Sequence, residues 1–91
     1  MIMNKQQRKE LEKIQDRISE LQTEIQNVRC DLEEIRDEED EKKDNLPEPF
    51  QYGEQGDKMQ EGIDQLEYLM DELDQADSTL QEVWDGISEL L

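Results

Sequence analysis

The chain has no histidine, one cysteine, two prolines and four glycines in 91 residues, and only 4% of it is aromatic. Each shortage excludes something. Cys30 has no second cysteine to pair with, so a disulfide scaffold is out. Without histidine, one thiol cannot assemble the usual zinc site, and no Ser, Cys or Lys has an imidazole base to activate it. Bases are scarce as well: ten Lys and Arg against 27 Asp and Glu leave a net charge of −17. Phosphate affinity comes from Lys and Arg, so direct nucleic-acid binding is not expected. No apolar run approaches the ~20 residues of a membrane span, and no signal-peptide pattern opens the chain. The expectation is a cytoplasmic protein without a membrane attachment. Neither a glycine-rich phosphate loop nor an EF-hand is present, and no cofactor is expected.

Low hydrophobicity with high net charge usually means disorder. Here the apolar residues are placed, not scattered. They fall at Leu11, Ile14, Ile18, Leu21, Ile25, Val28, Leu32 and Ile35, in steps of 3, 4, 3, 4, 3, 4, 3. That is the narrow stripe of a coiled-coil helix, expected over about residues 4–44. Pro47 and Pro49 break it, Asn45 suits its C-terminal cap, and a turn is expected over about 45–56. Gly53 and Gly56 weaken the start of a second helix, expected over about 57–90. Its stripe is Met59, Ile63, Leu66, Met70, Leu73, Leu80, Trp84, Ile87 and Leu91, with Asp77 in one apolar place. A second row, Leu69, Ala76, Val83 and Leu90, widens that face.

The two stripes mirror each other about Pro49. Leu32 is expected to face Leu66, Val28 to face Met70, Ile25 to face Leu73, Ile18 to face Leu80 and Ile14 to face Trp84. The expected fold is therefore all-α: an antiparallel two-helix coiled-coil hairpin forming one domain over 1–91. Two helices bury only one side of each stripe, and small scaffolds commonly need oligomerisation. A homodimer forming a four-helix bundle is expected, with the second helix near its centre. Self-association is assigned to Leu69, Leu73, Ala76, Leu80, Val83, Trp84 and Ile87.

Charge is uneven. Residues 1–30 hold six bases and five acids, whereas residues 31–91 hold four bases and 22 acids. On the second helix the acids occupy outer positions, and like charges at i,i+3 and i,i+4 repel. A surface built only for solubility mixes signs. A row of carboxylates on a rigid helix can steer and hold a basic partner, so Asp64, Glu67, Tyr68, Asp71 and Asp74 are the expected partner-binding residues. Tyr68 joins them because aromatics are enriched at binding hot spots.

The stretch from Asp37 through Asn45-Leu46-Pro47-Glu48 and Gly56-Asp57 to Ile63-Asp64-Gln65-Leu66-Glu67 resembles short acidic proteins encoded by bacteriophages and prophages. Pro49, Tyr52, Gly53 and Gly62 depart from the pattern of that group. The resemblance implies a phage setting, in which such proteins often block host defence or nucleic-acid enzymes. The expected function is thus a non-enzymatic inhibitor acting on a host protein with a basic surface, by nucleic-acid mimicry. The alternative is a structural or regulatory coiled-coil subunit of a larger assembly. An enzyme is not expected: Glu38-x-x-Glu41 and Glu61-x-x-Asp64 have the spacing of all-α nucleotide pyrophosphohydrolases, but Glu61 and Asp64 fall outside the stripe, whereas bundle metal ligands project inward. Cys30 is expected as an exposed free thiol. Asp77 is expected to face Leu21, either fixing register or lying at a wet waist.

Overall fold

A computed structural model describes residues 2–91. Three helices account for nearly all of them: α1 (Lys5–Asp44), α2 (Glu48–Gln51) and α3 (Glu54–Leu90). There is no strand among the described residues. The two long helices lie against each other in a rod of 68 × 18 × 11 Å. Its radius of gyration is 20.5 Å, against about 12 Å for a compact chain of this length.

Local chemistry sets the helix ends. Asn4 caps α1: its side chain accepts from the Gln7 backbone N–H at 2.7 Å, and the Gln7 side chain accepts from the Asn4 N–H at 3.0 Å. This reciprocal box satisfies two donors that a helix start leaves unpaired. Lys42 and Lys43 stand in the last turn of α1, where cations complement the helix dipole. Asn45 is its C-cap, in the right-handed region, with its N–H on the Glu41 carbonyl, and the next N–H, of Leu46, donates to the Lys43 carbonyl.

The segment between the long helices is more ordered than a turn over 45–56. Pro47 precedes the single helical turn α2, and Pro49 lies in its first turn, where the missing N–H costs nothing. Gln51 then reaches back and donates to the Asp44 and Leu46 carbonyls at 2.9 and 2.8 Å. The first is an acceptor that the end of α1 leaves open, and the second ties in the connecting segment. Helix α3 begins at Glu54, three residues before the expected start, and takes Gly56 into its first turn. A Cβ on Gly56 would stand 1.9 Å from the Gln51 carbonyl oxygen. The glycine that reads as a weak helix start is the site where two backbones touch.

As numbers rise along α1, the partners on α3 fall. Gln15 Nε2 donates to the Ser88 hydroxyl at 2.8 Å, and Gln22 Nε2 to Gln81 Oε1 at 3.1 Å. Arg29 Nε lies 2.8 Å from Asp74 Oδ1, and Arg36 Nη1 lies 3.9 Å from Glu67 Oε1. Lys43 Nζ donates to Gln60 Oε1 at 2.6 Å. Each rung advances seven residues on α1 and retreats seven on α3. Seven residues on each helix are two turns at about 3.5 residues per turn, the spacing of a heptad repeat.

The core is thin. Among the described residues Ile18, Ile63, Met70 and Ile87 are the buried apolar ones, and no side chain is fully enclosed. The seam on α1 follows Leu11, Gln15, Ile18, Gln22, Ile25, Arg29, Leu32 and Arg36, all buried or half-buried. The rungs mirror each other about the Gln51–Tyr52 boundary and not about Pro49, so all the expected facing pairs, Leu32 with Leu66, Ile25 with Leu73 and Ile18 with Leu80 included, are displaced by about five residues. Ile14 and Val28 do not seal against Trp84 and Met70; they are exposed, as are Leu21 and Ile35. The helix is rotated so that the polar residue following each of them enters the seam instead. Gln15 is buried and also donates to the Trp84 carbonyl at 3.0 Å. Asp77 likewise does not meet Leu21: it is half-buried, and its carbonyl accepts from Gln22 at 3.4 Å. The rotation lets long donors on α1 reach acceptors on α3 while Leu11, Ile18, Ile25 and Leu32 stay inward.

Candidate interaction surface

The rotation of α1 divides the rod into two unlike sides. On one side runs the five-rung polar ladder. On the other, two apolar rows are left exposed: Ile14, Leu21, Val28 and Ile35 from α1, and Leu69, Ala76, Val83 and Leu90 from α3. Helical geometry brings these rows together. Ile14, Leu21, Val28 and Ile35 each precede by one residue the seam positions Gln15, Gln22, Arg29 and Arg36. Leu69, Ala76 and Val83 each precede Met70, Asp77 and Trp84, which face α1. One residue is about 100° of helical turn. The helices' partners run in opposite order, so the same rotation on both carries both rows to the same side.

The ladder spacing also sets their levels. Ile14 stands level with Leu90, Leu21 with Val83, Val28 with Ala76, and Ile35 with Leu69. Four apolar rungs therefore run along one side. Leu21 is 54% exposed, Ile35 52% and Val83 48%. Single exposed apolar residues need no explanation, but a contiguous strip of this kind is a candidate interaction surface.

The residues expected for self-association divide accordingly. Leu69, Ala76 and Val83 lie on the strip. Leu73, Leu80 and Trp84 are half-buried and Ile87 is buried, all on the side of α3 that meets α1. The exposed row of α1 supplies half the strip, and the apolar periodicity alone did not separate it from the seam. The signal was present one residue over: Gln15, Gln22, Arg29, Arg36 and Lys43 are donors at seven-residue spacing, and Gln60, Glu67, Asp74, Gln81 and Ser88 can all accept at the same spacing.

The acids expected to bind a partner lie on the opposite side of α3. Two of them already have bases near them, contrary to the expectation of uncompensated charge. Asp74 meets Arg29, which also donates to Glu33 at 3.3 Å, and Glu67 lies near Arg36. These bases project from α1, so the composition of α3 alone hides them. Arg29 Nε is itself shut off from solvent, and its close approach to Asp74 is poorly aligned for a hydrogen bond. Asp71 joins Arg29, Arg36, Glu67 and Met70 in lining a shallow open depression. Asp64 accepts from Gln60 at 2.8 Å, and Tyr68 is exposed. Arg36 donates to Asp37 through Nε and Nη2. That hydrogen bond, aided by the charges of Asp37, Glu33 and Glu67 and opposed by partial loss of solvent, raises the Arg36 pKa above its ordinary value. The cation is thus held more firmly as a cation.

Glu38, Glu41, Glu61 and Asp64 are all exposed. Among the described residues no three acids or thiols gather as a metal site would need. Cys30 is exposed and free. No described helix is long and apolar enough to cross a membrane. No protein-family model, curated protein or solved structure matches this chain.

Proposed function

We propose that the chain is a non-enzymatic assembly module: an antiparallel helical hairpin that buries its apolar strip against the helices of a partner, completing a four-helix bundle. The observation that carries this reading is the strip itself, four apolar rungs left open along a rod with a thin core. Surface area points the same way. The chain exposes 6907 Å², whereas a compact chain of its mass exposes about 5,600 Å². Covering the strip would bring it back toward the compact value. Of the two functions expected from sequence, this is the coiled-coil subunit.

Light scattering at micromolar concentration tests it. The expected result is a mass above the 10.9 kDa of one chain, falling to one chain for Leu21→Glu with Val83→Glu. A fully helical single chain at every concentration would overturn the reading.

The outer acids of α3 favour a second reading. Asp57, Asp64, Asp71 and Asp85 form a row on the side of α3 away from the strip, flanked by Glu61, Glu82 and Glu89. A phage-type inhibitor in the bacterial cytoplasm would use them against a basic host protein, mimicking nucleic acid. Such binding slows steeply as salt rises. A partner whose association is unchanged between low and high salt would rule it out.

A further inference from the structure

We infer that the occupant of the strip is a second copy of this chain, laid face to face and head to tail, so that α1 of each copy runs along α1 of the other. This deepens the assembly reading and rests on it. Two face-to-face arrangements keep twofold symmetry. In one, the turns lie at the same end, and α1 of each copy lies over α3 of the other. In the other, the turns lie at opposite ends, and like helices lie over each other.

The position of the strip on α1 suits the second. The row from Ile14 to Ile35 has its midpoint between Glu24 and Ile25, and so does helix Lys5–Asp44. A twofold axis through the middle of the strip therefore overlaps the whole of α1 with its copy. Ile14 then stands level with Ile35 of the second copy, and Leu21 with Val28. On α3, Ala76 stands level with Val83 of the second copy, pairing small with large. Each arrangement leaves some helix without a counterpart: the first two turns of α1 with the turns together, and the first four turns of α3 head to tail.

Charge favours the same arrangement. Residues 5–17 hold five bases and three acids, a net +2, and residues 32–44 hold three bases and eight acids, a net −5. Head to tail, these two segments lie alongside each other, twice. With the turns together, residues 32–44 instead meet residues 60–72 of the second copy, which hold five acids and no base, a net −5. Along the edge of the strip, Arg17 also stands level with Asp31 of the second copy. Glu24 meets its own counterpart and Glu10 meets Glu38. These like pairs, and residues 69–90 of α3 lying over their own copy with seven acids and no base on each, offset part of the gain but not the difference between +2 against −5 and −5 against −5. The strip is about 32 Å long at 1.5 Å per residue and as broad as the rod, 18 Å between Cα extremes. Two copies would bury about 1,200 Å² in all, the lower bound of a stable specific interface.

A disulfide near the axis tests the arrangement. In a Cys30→Ser background, Glu24→Cys is expected to oxidise to a covalent dimer, because only head to tail do the two copies of position 24 come within the ~4.4–6.8 Å Cα separation a disulfide needs. The parent chain, with Cys30 on the far side of α1, is expected to stay uncrosslinked. A dimer by light scattering in which Glu24→Cys stays unlinked overturns the arrangement and leaves the assembly reading intact. Crosslinking of the Glu24→Cys, Thr79→Cys double variant when neither single variant crosslinks would identify the turns-together form. A chain of single mass overturns the assembly reading itself.

Discussion

The two sides of the rod are built from the same seven-residue spacing and do opposite things. The ladder side carries hydrogen bonds and ion pairs between residues that remain partly wet, such as Arg29 at 28% and Asp74 at 47% side-chain exposure. Exposed pairs of this kind contribute about 0–1 kcal/mol each. They set which residues lie opposite each other more than how tightly the helices hold. Among the described residues none of the interhelix hydrogen bonds or ion pairs joins residues of the strip, and its apolar area is left open. The difference teaches that a chain with two apolar positions per heptad on α1 does not spend both on its own partner helix. One position joins the seam and the other is left open. Both helices leave such a row open, so in the proposed bundle α3 would not be alone at the centre.

Charging the strip should have the largest effect. Leu21→Glu with Val83→Glu places two carboxylates in the middle rung, and burying unpaired charge is costly. The dimer should weaken at least ~100-fold, about 3 kcal/mol or more, as read by sedimentation across a concentration series. Next comes the seam that both sides share. Ile63→Ala removes a side chain only 3% exposed and should cost about 2–4 kcal/mol of stability, measured by urea melts at fixed protein concentration. The ladder should respond less. Arg29→Ala removes the ion pairs to Asp74 and Glu33 and should cost about 1 kcal/mol, lowering the thermal midpoint while leaving the dimer mass unchanged. Changing Asp64, Glu67, Asp71 and Asp74 together to Asn and Gln relieves repulsion but also discards two contacts to Arg29 and Arg36. The net effect on stability should fall within about 1 kcal/mol. Salt sharpens the contrast with the smallest shift. Two chains of −17 each repel, so raising NaCl from 50 to 500 mM screens them and should tighten the dimer by about two- to fivefold. Weakening by salt would point to the acids, not the strip, as the contact.

Both long helices were legible in the sequence because apolar steps of 3 and 4 leave little choice of period. The rotation of α1 was not. A row at Ile14, Leu21, Val28 and Ile35 and a row at Leu11, Ile18, Ile25 and Leu32 fit a two-sided stripe equally well, and hydrophobicity alone cannot say which shares the seam with a polar neighbour. Reading donors on one helix against acceptors on the other would have decided it. The start of α3 was missed for a different reason. Glycine lowers helix propensity, and the cost is outweighed here because Gly56 is the residue that allows the backbone of α3 to touch the carbonyl of Gln51. Close approach is a tertiary fact that propensity does not contain. The Asn4 and Gln7 box, by contrast, is written in four consecutive residues and was available from the start.

The ladder has a property its individual bonds do not reveal: it tolerates sliding. If α3 were displaced by one heptad, Gln15 would meet Gln81, Gln22 would meet Asp74, Arg29 would meet Glu67 and Arg36 would meet Gln60. Displaced the other way, Gln22 would meet Ser88, Arg29 Gln81, Arg36 Asp74 and Lys43 Glu67. Every one of those meetings is between a donor and an acceptor. The helices therefore carry a vernier with several matching marks, and the zero is set elsewhere. It is set where Gln51 grips the last carbonyls of α1 and Gly56 admits the chain at van der Waals distance. The short segment between Asn45 and Gly53 is the gauge block of the whole molecule. Its fixed length selects one alignment out of three, and with it the line of apolar rungs that a partner meets.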